Sequence, residues 1–161
     1  MSDDTKEFES LLGSFDTAML VTHGDDDVPR ARPMHISKRE GVADLYFATR
    51  SPSPKIQELI HDSKVAVTMQ DKSRYLSISG RASVVTDRKK IEAAWSAPMK
   101  AWFPDGPSDP DLVLVHVEPE RGEYWDMSGM KKAQYLFEAA KAVLRGETIE
   151  PMEDQHGEVR L

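Results

Sequence analysis

Between residues 49 and 55 the chain reads Thr-Arg-Ser-Pro-Ser-Pro-Lys, which sets three hydroxyls and two cations where a strand gives way to a helix. The first N–H groups of a helix lack intrahelical partners and already attract an anion. Hydroxyls from Thr49, Ser51 and Ser53, with cations from Arg50 and Lys55, would complete a phosphate cradle. Lys55 sharpens this reading. A cation in the first helical turn opposes the helix dipole, at roughly a few tenths of a kcal/mol, unless a bound anion offsets it. The competing reading is an ordinary Ser/Pro helix start with solvated charges.

A second candidate is Ala31-Arg-Pro-Met-His-Ile-Ser37. Strand alternation places Arg32, Met34 and Ile36 on one face and Ala31, Pro33 and His35 on the other. Pro33 cannot donate a ladder hydrogen bond, so this segment belongs at an edge, at a bulge or beside a place left open for a ligand. An arginine there could grip a phosphate or a polar heterocycle; the plainer reading is a surface arginine and a core methionine. A third candidate is aromatic: Trp102-Phe103 in a Pro/Gly loop and Tyr124-Trp125 at a strand end. Such side chains pack over a core edge or an oligomer interface, or stack on a planar ligand.

Other chemistry finds no pattern. The chain has no cysteine, which removes thiolate nucleophiles, Cys-based zinc sites and iron–sulfur clusters. His23, His35, His61, His116 and His156 lie on separate segments without an HExxH pattern, so no metal site is expected. Asp25-Asp26-Asp27 reads as a turn and lacks the spaced ligands of a calcium loop. Neither the Walker pattern, GxGxxG nor GxSxG occurs.

The elements that must position these residues are mostly strands. Residues 5–15 carry Phe8, Leu11, Leu12 and Phe15 at helical spacing, as a lid on the core. AMLVTHG and ARPMHISK form a hairpin across a Gly/Asp/Pro turn, and ADLYFAT is a third strand. Ser53 and Pro54 then open a helix over IQELIHD. KVAVTMQD and the long YLSISGRASVVT follow, the latter bent at Gly80. Asp87 opens a short helix reaching Met99, AWFPDGPSDPD is a loop, and LVLVHVEP and GEYWDM are two closing strands. A last helix ends at Gly146. The order favours a mainly β protein, an antiparallel barrel with flanking helices, over an alternating α/β sheet.

The 161 residues, 39% of them hydrophobic, suit one core better than two. Residues 1–146 are therefore read as a single domain and 147–161 as a disordered acidic tail. With 21 Lys+Arg against 28 Asp+Glu the net charge is −7, which gives no general attraction to nucleic acid or to an anionic membrane. No stretch approaches the roughly 20 apolar residues of a bilayer span, and the N-terminus is acidic where a signal peptide is basic, so the cytoplasm is expected.

Taken in order, RARPMHI, LYFATRSPSPKIQEL, VAVTMQDKSRYLSISGRASVV and AWFPDGPSDPDLVLVHVEPERGEYWD resemble the flavin-binding split-barrel proteins. The match is to the general stress protein branch of the pyridoxamine 5'-phosphate oxidase-like superfamily, over roughly residues 8 to 140. The resemblance implies a six- or seven-stranded antiparallel split barrel that forms a homodimer with FMN at each of two subunit interfaces. It places Arg32, Met34 and His35 beside the flavin and its phosphate-bearing chain. Thr49, Arg50, Ser51 and Lys55 would hold the phosphate, Tyr75 and Trp125 would lie near the ring, and Trp102 and Phe103 would wall the pocket. The chain departs from the oxidases in two places. Ser37 stands where they carry a lysine for substrate phosphate, and DMSGMKKAQY lacks their Arg/His segment after the tryptophan. The resemblance therefore does not extend to vitamin B6 phosphate oxidation. It leaves an FMN-dependent oxidoreductase and a non-catalytic flavin-binding or sensing stress protein, with a haem- or deazaflavin-binding barrel as a weaker third reading; His35 or His116 would serve a haem.

Overall fold

The computed structural model describes residues 1–148 and 156–161, apart from the side chains of 130–132. Its elements are α1 (Asp3–Leu12), β1 (Thr17–His23), β2 (Pro29–Glu40), β3 (Asp44–Arg50), α2 (Pro54–His61), β4 (Lys64–Gln70), β5 (Arg74–Val85), α3 (Arg88–Ala94), β6 (Leu112–Asp126), α4 (Gly129–Arg145) and β7 (His156–Arg160). Two 3₁₀ turns, Ala97–Ala101 and Gly106–Ser108, lie between α3 and β6. The strands pair antiparallel in the order β3-β2-β1-β4-β5-β6-β7, and a further β3–β6 pairing closes the first six into a barrel. This is the expected split barrel. No described helix is long and apolar enough to cross a membrane.

Alternation along the strands fills the barrel. Leu20, Leu45, Phe47, Val67, Ile78 and Val115 are fully buried inside it, while their neighbours in sequence face outward. Helix α1, capped by the Ser2 hydroxyl accepting from the Thr5 N–H at 3.2 Å, closes one end with Phe8, Leu11 and Leu12. A second, smaller core lies outside the barrel wall, where Ile91, Ala94, Met99 and Phe103 pack on Tyr46, Leu112 and Leu114.

β6 does two jobs. Its first half, Leu112–Val117, pairs with β3 and closes the barrel; its second half, Arg121–Trp125, pairs with β7. The sequence reading treats these halves as two strands, because Pro119 interrupts the apolar run. In the structure they are continuous, since Pro119 faces Gly80 at a register shift in the β5–β6 ladder and needs no donor there. Gly80 bends β5 as expected: a Cβ there would lie 2.2 Å from the Glu118 carbonyl oxygen.

Two expectations need correction. The helix opened by Asp87 ends at Ala94, not Met99, because Pro98 starts a 3₁₀ turn. The terminal segment is not all tail: residues 156–160 form β7, whose Val159 is buried beside Gly122 while backbone pairing satisfies its polar groups. Residues 149–155 of the expected tail lie outside the described residues.

Candidate functional site

The β2–β3 ladder stops at Ile36–Phe47. Continued, it would pair His35, Met34 and Pro33 with Ala48, Thr49 and Arg50, but these β3 residues pair with β6 while Pro33–His35 pair only with β1. The strands splay, and the wedge between them is a cavity of about 400 Å³. Pro33, Met34, His35 and Ser37 line it from β2, Ala48, Thr49 and Arg50 from β3, Lys55 from α2, and Met99, Trp102 and Phe103 from the loop before β6. The register shift falls between Ile36 and Lys38. There the Ser37 hydroxyl accepts the Ala48 N–H at 3.1 Å, taking over a donor the ladder would have used.

Three cations near this wedge have different commitments. The Arg50 guanidinium donates to the Trp102 carbonyl, lies 3.8 Å from the buried Asp109 carboxylate and 3.7 Å from Asp111, and covers the Phe103 ring at 4.9 Å. It holds the aromatic loop. Arg32 does not line the cavity: it donates to the Thr22 hydroxyl and, at 2.7 Å, to Glu58 on α2. Burial alone would raise the Glu58 carboxyl, but hydrogen bonds from Thr22 and Arg32 and the charges of Arg32 and Arg30 outweigh it and hold the group below its ordinary range. Lys55 donates at 2.9 Å to the Thr49 hydroxyl, a neutral partner. Burial, helped by the charge of Arg32, pushes its ammonium pKa down, against the opposing pull of Glu58.

The aromatic pair divides its labour. Phe103 is buried in the outer core, whereas Trp102 is 64% exposed at the cavity rim. Ser51 lies outside the cavity lining, its N–H donating at 2.8 Å to the Asp111 carbonyl. The Ser53 hydroxyl is buried without a protein partner.

Tyr75 and Trp125 face each other across the β5–β6 ladder, away from this cavity. Register carries one row across the sheet: His35 pairs with Thr17, Gln70 with Tyr75, Tyr75 with Trp125 and Trp125 with His156. At about 4.8 Å per strand, Tyr75 and Trp125 lie roughly 14 and 19 Å along the sheet from His35. All face outward from a curved wall, so one chain cannot converge both groups on one small ligand. His116 lies elsewhere again, bonded to Asp44 at 2.7 Å and stacked on Tyr46 with centroids 4.5 Å apart.

The structure thus gathers Met34, His35, Thr49, Arg50, Lys55, Trp102 and Phe103 at one cavity, leaves Arg32 and Ser51 beside it, and sets Tyr75 and Trp125 on another face. Sequence reasoning does not find Ala48 and Met99 as lining residues or Glu58 as the partner of Arg32. Glu58 stands three residues after Lys55, one turn along the same helix face, a spacing that could have pointed to it. Among the described residues no group of three His, Asp or Glu is arranged to hold a metal ion.

Comparison with known proteins agrees with this architecture. A family model described as "Pyridoxamine 5'-phosphate oxidase like" matches residues 3–150. General stress protein 26 of Bacillus subtilis is 26% identical over 81 residues, which are 47% of this chain and 57% of that protein. The chain spans about half the length of the curated relatives it matches. A putative general stress protein 26 from Jannaschia sp. CCS1 superposes with a TM-score of 0.71 at 27% identity, covering 100% of both chains. A general stress FMN/FAD binding protein from Xanthomonas citri gives a TM-score of 0.69 at 26% identity, over 80% of this chain and 92% of that one.

Proposed function

The chain belongs to the pyridoxamine 5'-phosphate oxidase like family, and from that premise we propose that it is a flavin-dependent oxidoreductase of the general stress type that holds FMN between two copies of itself. The observation that carries the reading is Lys55: a partly buried ammonium, aimed into the β2–β3 wedge, whose hydrogen-bond partner is an uncharged hydroxyl. A partly buried cation without a paired carboxylate favours an anion beside it. Arg32 and Arg50 are answered by Glu58, Asp109 and Asp111. One uncommitted cation suits one phosphate group, and so FMN over the diphosphate of FAD.

The residues present fit that cofactor. The Lys55 ammonium and the Thr49 hydroxyl would hold the phosphate; the start of α2 adds little, since Pro54 has no N–H and those of Ile56 and Gln57 donate to the Ser53 carbonyl. Pro33, Met34 and Met99 offer apolar walls to a planar ring, and Phe103, pinned beneath Arg50, keeps water from the inner end. The isoalloxazine, when bound, supplies one- and two-electron redox chemistry; the chain supplies position, local charge and access.

Geometry supports the second copy in this reading. Tyr75 and Trp125 sit on the convex outer face, roughly 14 to 19 Å from His35 along the sheet. From a neighbouring protomer they would reach a flavin in the wedge that they cannot reach within their own chain. A two-fold pairing of this face gives two equivalent sites, each lined by the wedge of one protomer and the aromatic pair of the other.

A non-catalytic flavin-binding role is favoured by one observation: of the titratable groups lining the cavity, Arg50 is tied to the loop and Lys55 donates to the Thr49 hydroxyl, which leaves His35 to act on a substrate. Purified protein is expected to release FMN on denaturation, identified by mass, or to gain thermal stability on adding FMN. A protein indifferent to saturating FMN contradicts the cofactor assignment. Stopped-flow reoxidation of the reduced flavoprotein with NAD(P)+ and quinones separates the two roles: turnover supports the oxidoreductase, its absence the binder.

A further inference from the structure

β7 returns the chain to the barrel and seats His156 opposite Trp125. The imidazole lies flat against the indole, with ring centroids 5.0 Å apart and planes 20° from parallel. Its Nε2 is 3.5 Å from a Glu123 carboxylate oxygen. Arg121 bridges the neighbouring carboxylates, 3.1 Å from Glu123 and 2.9 Å from Glu158. Arg160, paired with Arg121 in the register, is the remaining charge on the outward side of β7, and Tyr75 flanks Trp125 from β5. α1 packs against β7, where Asp4 accepts from the Tyr124 hydroxyl on the other face of the sheet. The outward imidazole thus has the indole on one side and a carboxylate within ion-pair reach.

We propose that β7 is a working part of the flavin site, in which His156 positions the Trp125 indole that a bound flavin meets across the subunit interface. This rests on the reading of Trp125 as a cofactor residue given above. An indole on an open sheet face has rotamer freedom, and binding a ring against it costs that freedom. A stacked imidazole removes much of it in advance. His156 therefore lowers the cost of seating a flavin ring against Trp125. It acts through Trp125 and is a positioning residue.

FMN titration of the full chain, followed by flavin fluorescence, tests this with three variants. Trp125→Ala establishes whether the indole serves the flavin at all. His156→Ala is expected to raise the FMN Kd about three- to tenfold. His156→Phe keeps a stacking ring beside the indole, so its Kd should stay within about twofold of the parent's, a rescue that sets positioning by stacking apart from a general loss of structure. If Trp125→Ala weakens FMN but His156→Ala does not, or if His156→Phe weakens FMN as much as His156→Ala does, β7 has no such role. If Trp125→Ala leaves FMN binding unchanged, the placement of Trp125 fails and this inference fails with it.

Discussion

The β2–β3 wedge and the β5–β6–β7 outer face carry aromatic and charged residues by different means. The wedge is concave, and its groups converge within one chain: Lys55 and Thr49 meet at 2.9 Å, and Arg50 pins the loop that walls the cavity. The outer face is convex, and Tyr75, Trp125 and His156 stand side by side along a ladder without enclosing anything. A concave region can select a ligand alone; a convex one acts only against another surface. On our reading the wedge supplies affinity for the phosphate and the outer face supplies the far wall of the ring site, borrowed from a second copy.

The largest expected effect breaks the wedge alone. Lys55→Glu replaces the uncommitted cation by a carboxylate facing the phosphate, and should raise the FMN Kd roughly ten- to a hundredfold while barely altering riboflavin, which has no phosphate. Isothermal titration with both ligands reads this directly. Equal losses for the two would place the anion elsewhere.

Arg50→Ala tests whether the loop is held by the cation. It takes the cation from the buried Asp109 carboxylate, which keeps the Asp111 N–H at 2.9 Å, and frees the Trp102 carbonyl, at a cost of about 1–2 kcal/mol, because Arg50 itself is half exposed. A drop of several degrees in Tm is expected, with FMN affinity falling less than in Lys55→Glu. An unchanged Tm would mean that the loop stands without Arg50. Met99 and Phe103 in the outer core would then suffice.

The smallest effect concerns Glu58. Its carboxyl is held below the ordinary value of 4.5 in the folded chain. The stability it contributes is therefore complete above that value and lost as pH falls through the lower, folded-state pKa. Glu58→Gln should lower stability near neutral pH and flatten the acid limb of the unfolding profile, read by urea denaturation between about pH 3 and 6. An acid limb identical to the parent's would show that Arg32 needs no carboxylate partner.

Much of the fold was legible because strand alternation, Gly and Pro are local signals. Pro33 marked a place where a ladder must fail, and the ladder fails beside it; Gly80 marked a bend, and a carbonyl occupies the space of its missing Cβ. β7 was illegible because His-Gly-Glu-Val-Arg has one core residue, and its strand character comes from the β6 edge it joins. The cavity was partly legible. The TRSPSPK segment announced Lys55 and Thr49 through the cost of a cation at a helix start. The direction of each guanidinium could not be read, because Asp109 and Glu58 reach Arg50 and Arg32 from 59 and 26 residues away along the chain. Trp102 and Phe103, adjacent and alike in sequence, part company because only one fits beneath Met99 in the outer core.

The claim that one flavin site is built from two chains has a direct test. Lys55→Glu damages the wedge and Trp125→Ala damages the outer face; each variant alone should bind FMN poorly. Mixed in equal amounts and allowed to exchange subunits, they should regain parent-like affinity at about one site in four, since each mixed dimer reunites one intact wedge with one intact aromatic face. FMN titration of the exchanged mixture counts those sites. A mixture that binds no better than the two variants kept apart would contradict the shared site.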